Sequence, residues 1–223
     1  MSRVVVFDVN QTLLDLRALF PVFDRLFGDA SVTREWFGRL LQASMTVSLT
    51  GNYMDFGALG RASLEMVAAG HGVTLTDEDA DELIAVMRSL PAYPDAGPGL
   101  SALEEAGFRM AALTNSPPVI AGAQLASAGL IRFFEKTLSV DSVHRFKPAP
   151  EPYRMAASEL DVTTADMWMV AAHDWDVAGA MAAGCRGLLV TRPGVFPNPA
   201  YPPPDLVAGD IQEAAQQLIG GAH

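Results

Sequence analysis

Val4-Val5-Val6-Phe7-Asp8-Val9-Asn10-Gln11-Thr12-Leu13-Leu14-Asp15 is the stretch on which the fold and the chemistry turn. Four apolar residues run straight into the carboxylate of Asp8, and the hydroxyl of Thr12 follows. Burial of an isolated ion is expensive, so a charge at the end of an apolar strand needs a purpose. Open α/β sheets form their sites outside the carboxyl ends of strands, and a carboxylate there is placed to act as a nucleophile. Asn10, two residues further along, carries no acid.

Outward from this stretch, apolar runs at 108–113, 168–172, 187–191 and 206–208 predict further strands. The second run of the chain ends in Thr114-Asn115-Ser116, and the third is followed by His173-Asp174-Trp175-Asp176. Helical patterns lie between them at 99–106, 119–127, 151–159, 177–183 and 211–219. Gly107, Gly129 and Gly184 stand where C-terminal helix caps are expected. Continuous apolar strands alternating with helices predict an α/β fold with a parallel sheet covered on both faces. From Leu16 to Leu90 the rhythm changes. Phe20, Phe23 and Phe27, then Trp36 and Leu40, then Phe56 and Leu59, then Leu83 and Met87 recur at helical spacing. The expectation is a sheet domain formed by residues 1–15 and 91–223, with a helical cap domain, 16–90, inserted after the first strand. Pro91, Pro94, Gly97 and Pro98 mark the return to the sheet domain. A lid in that place covers Asp8 and excludes water from it.

The chain has 223 residues, 50% of them hydrophobic and 18% charged, a balance opposite to that of disorder. A net charge of −11 argues against nucleic acid and anionic membranes as partners. The same charge gives no long-range pull on an anionic substrate, so local cations must hold one. Cys185 is the single cysteine, which excludes a disulfide framework and a Cys-based metal site and points to the cytoplasm. Met1-Ser2-Arg3 leads into a short strand and not into the long apolar region of an export leader. No apolar run is long enough to span a membrane.

Asp8-Val9-Asn10-Gln11-Thr12, Leu113-Thr114-Asn115, Lys147-Pro148 and the cluster around Asp176 resemble, in order, the four motifs of the haloacid dehalogenase superfamily. FDVNQTLLD, RFKPAPEPY and HDWDVAGA look most like its L-2-haloacid dehalogenase (type II) branch. The resemblance implies a Rossmann-like core with an α-helical cap, and metal-independent hydrolysis of short 2-haloalkanoic acids. Asp8 would displace halide from an sp3 carbon, forming an aspartyl ester that water cleaves to a 2-hydroxy acid. By the same resemblance, Thr12 and Thr114 hydrogen-bond the carboxylate of Asp8 or of the substrate, and Asn115 belongs to the substrate-binding turn. Lys147 counters the charge of both carboxylates, Asp176 anchors Lys147 and orients water, and Tyr153 supports the site. Trp175 and Phe56 are expected as aromatic walls.

Departures from the family pattern shape the expectation. Asn10 replaces the acid that protonates a phosphatase leaving group, and Ala172 replaces an acid of the metal-dependent relatives. Together they imply no metal and no cofactor. His173 stands where the branch usually has Asn, and it could orient water or act as a base. Phe37 stands where the branch carries the Arg that accepts the halide. Arg39 is two residues further along and, on a helix, points to a different side. It substitutes only if the register shifts by two. The alternatives are a Mg²⁺-dependent phosphatase acting on a small phosphate ester, and a divergent binding protein of the same fold. The implied partner is a small anionic substrate, with a homodimer left open.

Overall fold

The computed structural model describes residues 4–221. Met1-Ser2-Arg3, on which the expected lack of an export leader rests, and Ala222 and His223, the end of the expected 91–223 segment, lie outside the described residues. The chain runs β1 (Val4–Phe7), α1 (Phe20–Phe27), α2 (Val32–Thr50), α3 (Phe56–His71), α4 (Asp77–Arg88), α5 (Ala96–Glu105), β2 (Arg109–Thr114), α6 (Pro118–Ser127) and β3 (Lys136–Ser139). It continues through α7 (Pro150–Glu159), β4 (Met167–Ala171), α8 (Asp174–Ala182), β5 (Arg186–Val190), β6 (Leu206–Ala208) and α9 (Ile211–Gly220).

Every residue of β1 is buried. Val5 and Phe7 join one apolar cluster and Val4 and Val6 the other, because successive side chains of a strand point to opposite faces. Both faces are covered, which is why the run is apolar throughout instead of alternating. The sheet has six parallel strands in the order β3-β2-β1-β4-β5-β6. From β1 the chain moves outward to β2 and β3, then returns to β4 on the other side of β1. A crevice therefore opens beyond the carboxyl ends of β1 and β4, at the topological switch point. The Asp8 amide donates to the Val170 carbonyl at 3.0 Å, which holds the carboxylate in that crevice.

Three differences from the sequence-based expectation have local causes. β3 was not expected, since Lys136-Thr137-Leu138-Ser139 has one strongly apolar residue and lies at the sheet edge. β2, β4 and β5 are displaced by a residue from the apolar runs, because Thr114 joins the end of β2 and Met167 and Arg186 join the starts of β4 and β5. α8 begins at Asp174 and not at residue 177, so Asp176 lies in its first turn, where the positive end of a helix favours a carboxylate. Gly107, Gly129 and Gly184 have φ of +78°, +70° and +98°, the left-handed geometry of helix termini.

Between β1 and α5 the chain forms helices α1–α4 and a short 3₁₀ turn at Leu16–Leu19. Its two ends are tied together: Asp15 N–H donates to the Pro91 carbonyl at 2.8 Å, and Tyr93 N–H to Leu13 at 2.9 Å. Trp36 on α2 is buried and donates from Nε1 to the Gly60 carbonyl of α3 at 2.9 Å. Among the described residues, no helix is long and apolar enough to cross a membrane.

One close approach sets the position of the loop before α7. A Cβ on Gly179 of α8 would lie 2.4 Å from Pro148 Cβ and 2.7 Å from its carbonyl oxygen. Pro148 follows Lys147, so α8 and this loop are in register only while residue 179 lacks a side chain. Gly179→Ala is expected to lose about 1–3 kcal/mol in a urea unfolding titration. Gly122→Ala, on α6 with open space around it, is expected to hold or gain up to about 1 kcal/mol. Equal values for the two variants would contradict this packing.

Candidate active site

Asp8 at the end of β1, Lys147 in the loop before α7 and Asp176 in the first turn of α8 come together in the crevice. Lys147 is 1% exposed. Its Nζ donates to Asp8 Oδ1 at 2.7 Å, Asp176 Oδ2 at 2.6 Å and the Leu113 carbonyl at 3.0 Å. An ammonium has three protons, and all three have acceptors. Tyr153 on α7 donates to Asp176 Oδ1 at 2.6 Å, completing the chain from α7 through Asp176 and Lys147 to Asp8.

The electrostatics separate the two carboxylates. Burial opposes ionisation of Asp8, but the Lys147 charge and hydrogen bonds from His173 and Lys147 outweigh it and hold this carboxyl well below the usual range. Burial pushes Asp176 above its ordinary value, and the neighbouring Asp8 charge adds to it against the pull of Lys147. Burial also opposes the charge on Lys147, yet the two carboxylates raise its pKa. The Tyr153 hydroxyl is pushed well above its ordinary value by burial and by Asp176, so it remains a donor.

Thr12 Oγ1 donates to Asp8 Oδ2 at 2.7 Å and accepts from the Ala172 amide at 2.8 Å. The amide occupies the acceptor side of the hydroxyl, so its one proton points at Asp8. His173 Nδ1 lies 3.1 Å from the same Oδ2, and Nε2 lies 2.8 Å from Gln11 Oε1. An ionised Asp8 and the amide oxygen of Gln11 can each only accept, so both ring nitrogens donate in these contacts. Oδ2 thus has two donors, whereas Oδ1 has only Lys147 and keeps a free lone pair. The imidazole is flanked by Phe37, at 6.0 Å and 30°, and by Trp175, at 5.0 Å and 31°.

The other expected residues divide into those near the cluster and one away from it. Asn10 is buried but does not bond Asp8. Its amide donates to Ser116 Oγ at 3.3 Å and accepts from Gln124 Nε2 at 3.1 Å. Thr114 Oγ1 accepts from the Ser116 amide at 3.1 Å, and Asn115 Oδ1 from the Lys147 amide at 3.2 Å. These three hold the strand ends and the lysine loop. Phe56, with Trp36, Leu40 and Ser116, lines an apolar cavity of about 340 Å³. Arg39 is not brought to the site: it is exposed and donates to Gln42 at 3.3 Å. Phe37 takes the inward position on that helix, as i and i+2 diverge. Gln11, Ser116 and Gln124 were not singled out from sequence. Gln11 has φ +62°, uncommon for a residue with a Cβ, and nothing in its residue type signals that. Among the described residues, no group of three or more His, Cys, Asp or Glu is placed to hold a metal ion.

With this geometry, comparison with known proteins is informative. Residues 2–184 match the family model of the haloacid dehalogenase-like hydrolases. (S)-2-haloacid dehalogenase 1 of Pseudomonas sp. (strain CBS-3) is 29% identical over 97% of this chain and 96% of its own. (S)-2-haloacid dehalogenase of Xanthobacter autotrophicus is 31% identical over 86% of this chain and 76% of its own. The structure of L-2-haloacid dehalogenase from Xanthobacter autotrophicus with chloropropionic acid covalently bound superposes with a TM-score of 0.93, at 26% identity over 100% of both chains. Agreement in sequence and fold over this extent means that the chain belongs to the haloacid dehalogenase-like hydrolases, within the (S)-2-haloacid dehalogenase family.

Proposed function

We propose that this protein hydrolyses short 2-haloalkanoic acids through an ester on Asp8, without a metal, releasing halide and a 2-hydroxy acid. The observation that carries the reading is the unequal engagement of the Asp8 oxygens, with Oδ2 saturated and Oδ1 free to attack. Oδ1 forms a bond to the halogen-bearing carbon as the carbon–halogen bond breaks and halide leaves with the electron pair. Halide needs no proton to depart, which suits a site with Asn10 and Ala172 where phosphoryl transfer needs acids.

The next step follows from the same contacts. Oδ2 becomes the ester carbonyl oxygen, already facing Thr12 Oγ–H and His173 Nδ1–H. Those donors take up the negative charge when water adds to the carbonyl carbon. His173 therefore acts as a donor, since its Nδ1 proton is committed to Asp8 and its Nε2 to Gln11. Asp176, the carboxyl that burial makes more basic, accepts the proton from water and returns it to the alkoxide as the Cγ–Oδ1 bond breaks. The second proton of water goes to solvent, and Asp8 is regenerated as a carboxylate. Lys147 neutralises charge throughout. Helices of residues 16–90 form the lid over this chemistry, and the cavity beside Phe56 takes the alkyl substituent.

The test is release of halide and 2-hydroxy acid from 2-chloropropionate in the presence of EDTA. Equal rates with and without EDTA are expected. A protein that turns over a small phosphate ester only when Mg²⁺ is supplied overturns the proposal.

A further inference from the structure

Gln124 on α6 is fully buried and takes no part in the chemistry proposed for Asp8. The other buried residues of that helix, Ala121 and Leu125, are apolar. Gln124 Nε2 donates to the Met87 carbonyl at 2.8 Å and to Asn10 Oδ1 at 3.1 Å. Its Oε1 is buried and has no hydrogen-bond partner among the described residues. An unpaired buried acceptor is destabilising, and each native case calls for an explanation. An apolar side chain of similar size would avoid that cost.

The two acceptors belong to different parts of the molecule. Met87 is in the last turn of α4, whose final carbonyls have no partner within the helix. The Ser89 hydroxyl takes up the carbonyls of Ala85 and Val86, and Gln124 takes up that of Met87. Just beyond, Pro91 accepts from the Asp15 amide where the chain leaves the helices of residues 16–90. Asn10, the other acceptor, is two residues from Asp8. Its Nδ2 continues to Ser116 Oγ, and Met87 and Ser116 both line the apolar cavity beside Phe56.

This row of contacts has one polarity. A peptide carbonyl only accepts, so the amide nitrogen of Gln124 faces Met87. Asn10 then presents its oxygen to that nitrogen, which turns its own nitrogen toward Ser116. A reversed Gln124 sets an oxygen against two oxygens, and a reversed Asn10 sets nitrogen against nitrogen. The unpaired Oε1 is what remains once Nε2 serves both acceptors.

We infer that Gln124 is a positioning residue: it links the end of α4 to Asn10 and so fixes how the Met87 and Ser116 walls of the cavity stand to each other. The role of that cavity as the alkyl pocket rests on the proposed dehalogenation, whereas the link does not.

Gln124→Met keeps the length of the side chain and removes both donated bonds. It is expected to raise the KM for 2-chlorobutanoate about tenfold, the worth of one hydrogen bond. The KM for chloroacetate, which has no alkyl substituent, should stay within about twofold of the wild type. Hydrogen exchange measures the link without turnover. The Ser89 and Tyr93 amides, bonded to Val86 and Leu13, are expected to exchange about tenfold faster in the variant, while β5 amides keep their rates. Gln124→Glu, the second variant, donates only when protonated, and burial raises a carboxyl pKa. Its KM for 2-chlorobutanoate is expected to exceed the wild-type value at about pH 9 and to approach it at about pH 6. Equal KM changes for the two acids overturn the inference, as does faster exchange that extends to β5, since either is plain loss of stability. A Gln124→Glu defect independent of pH overturns it too. A wild-type protein that dehalogenates neither acid retires the functional proposal, and exchange alone then decides the link.

Discussion

Lys147→Met is expected to lose about 3–5 kcal/mol of unfolding free energy at pH 7, the cost of leaving buried charge uncompensated. The substitution keeps the length and apolar stem of the side chain but removes the ammonium that meets Asp8 at 2.7 Å and Asp176 at 2.6 Å. Two carboxylates then face each other without a counter-ion, in a place closed to water. The control is Lys136→Met. Its ion pair with Glu159 has the same 2.8 Å length class but is 41% and 50% exposed, and it should cost below about 1 kcal/mol.

The pH dependence of this variant has a definite sign. In the wild type the Asp8 carboxyl is depressed, so its contribution is present above about pH 4 and is lost as pH falls. Lys147 is raised, so its contribution is present below about pH 10 and is lost as pH rises through its folded value. Without Lys147, proton uptake by either carboxyl relieves the repulsion, and acid pKa values rise in the folded state. Stability tied to a raised acid is present at low pH and lost as pH rises. The deficit of Lys147→Met is therefore expected to be largest at neutral pH and to shrink toward pH 4. Unfolding titrations at a series of pH values measure it, and a deficit independent of pH would refute the triad as the cause.

Asp8→Asn is expected to reduce turnover of 2-chloropropionate by at least about 10⁴-fold, the scale of losing a nucleophile. The amide keeps the shape of the side chain but forms no ester. Wild-type protein in a single turnover in H₂¹⁸O should gain the label in Asp8 and release unlabelled hydroxy acid, because the product carries the original Oδ1. Label in the first product molecule, with none in the protein, would instead mean direct attack by water.

Much of this arrangement was legible in the residues. The run Val4–Phe7 ending in Asp8, the glycines at 107, 129 and 184, and the order of Asp8, Lys147 and Asp176 pointed to the sheet and to the charges that meet in it. β3 was not legible, since an edge strand with one buried end needs few apolar residues. Gln11 was not legible either. Its role comes from a left-handed backbone and from a histidine more than a hundred residues away, and neither leaves a mark on residue type.

What the sequence determined by itself is the inventory: a carboxylate at a strand end, a lysine, a second aspartate, and no acids at Asn10 and Ala172. The strand end follows from local periodicity, and the grouping of Lys147 and Asp176 and the meaning of the missing acids follow from the resemblance to the haloacid dehalogenase motifs. Tertiary structure alone decided which atom pairs with which: Phe37 inward and Arg39 outward, His173 as a donor between two rings, one free lone pair on Asp8, and Thr33 buried without a partner. Hydrogen bonds are made between specific atoms at about 3 Å, and positions at that precision are set by packing between distant segments.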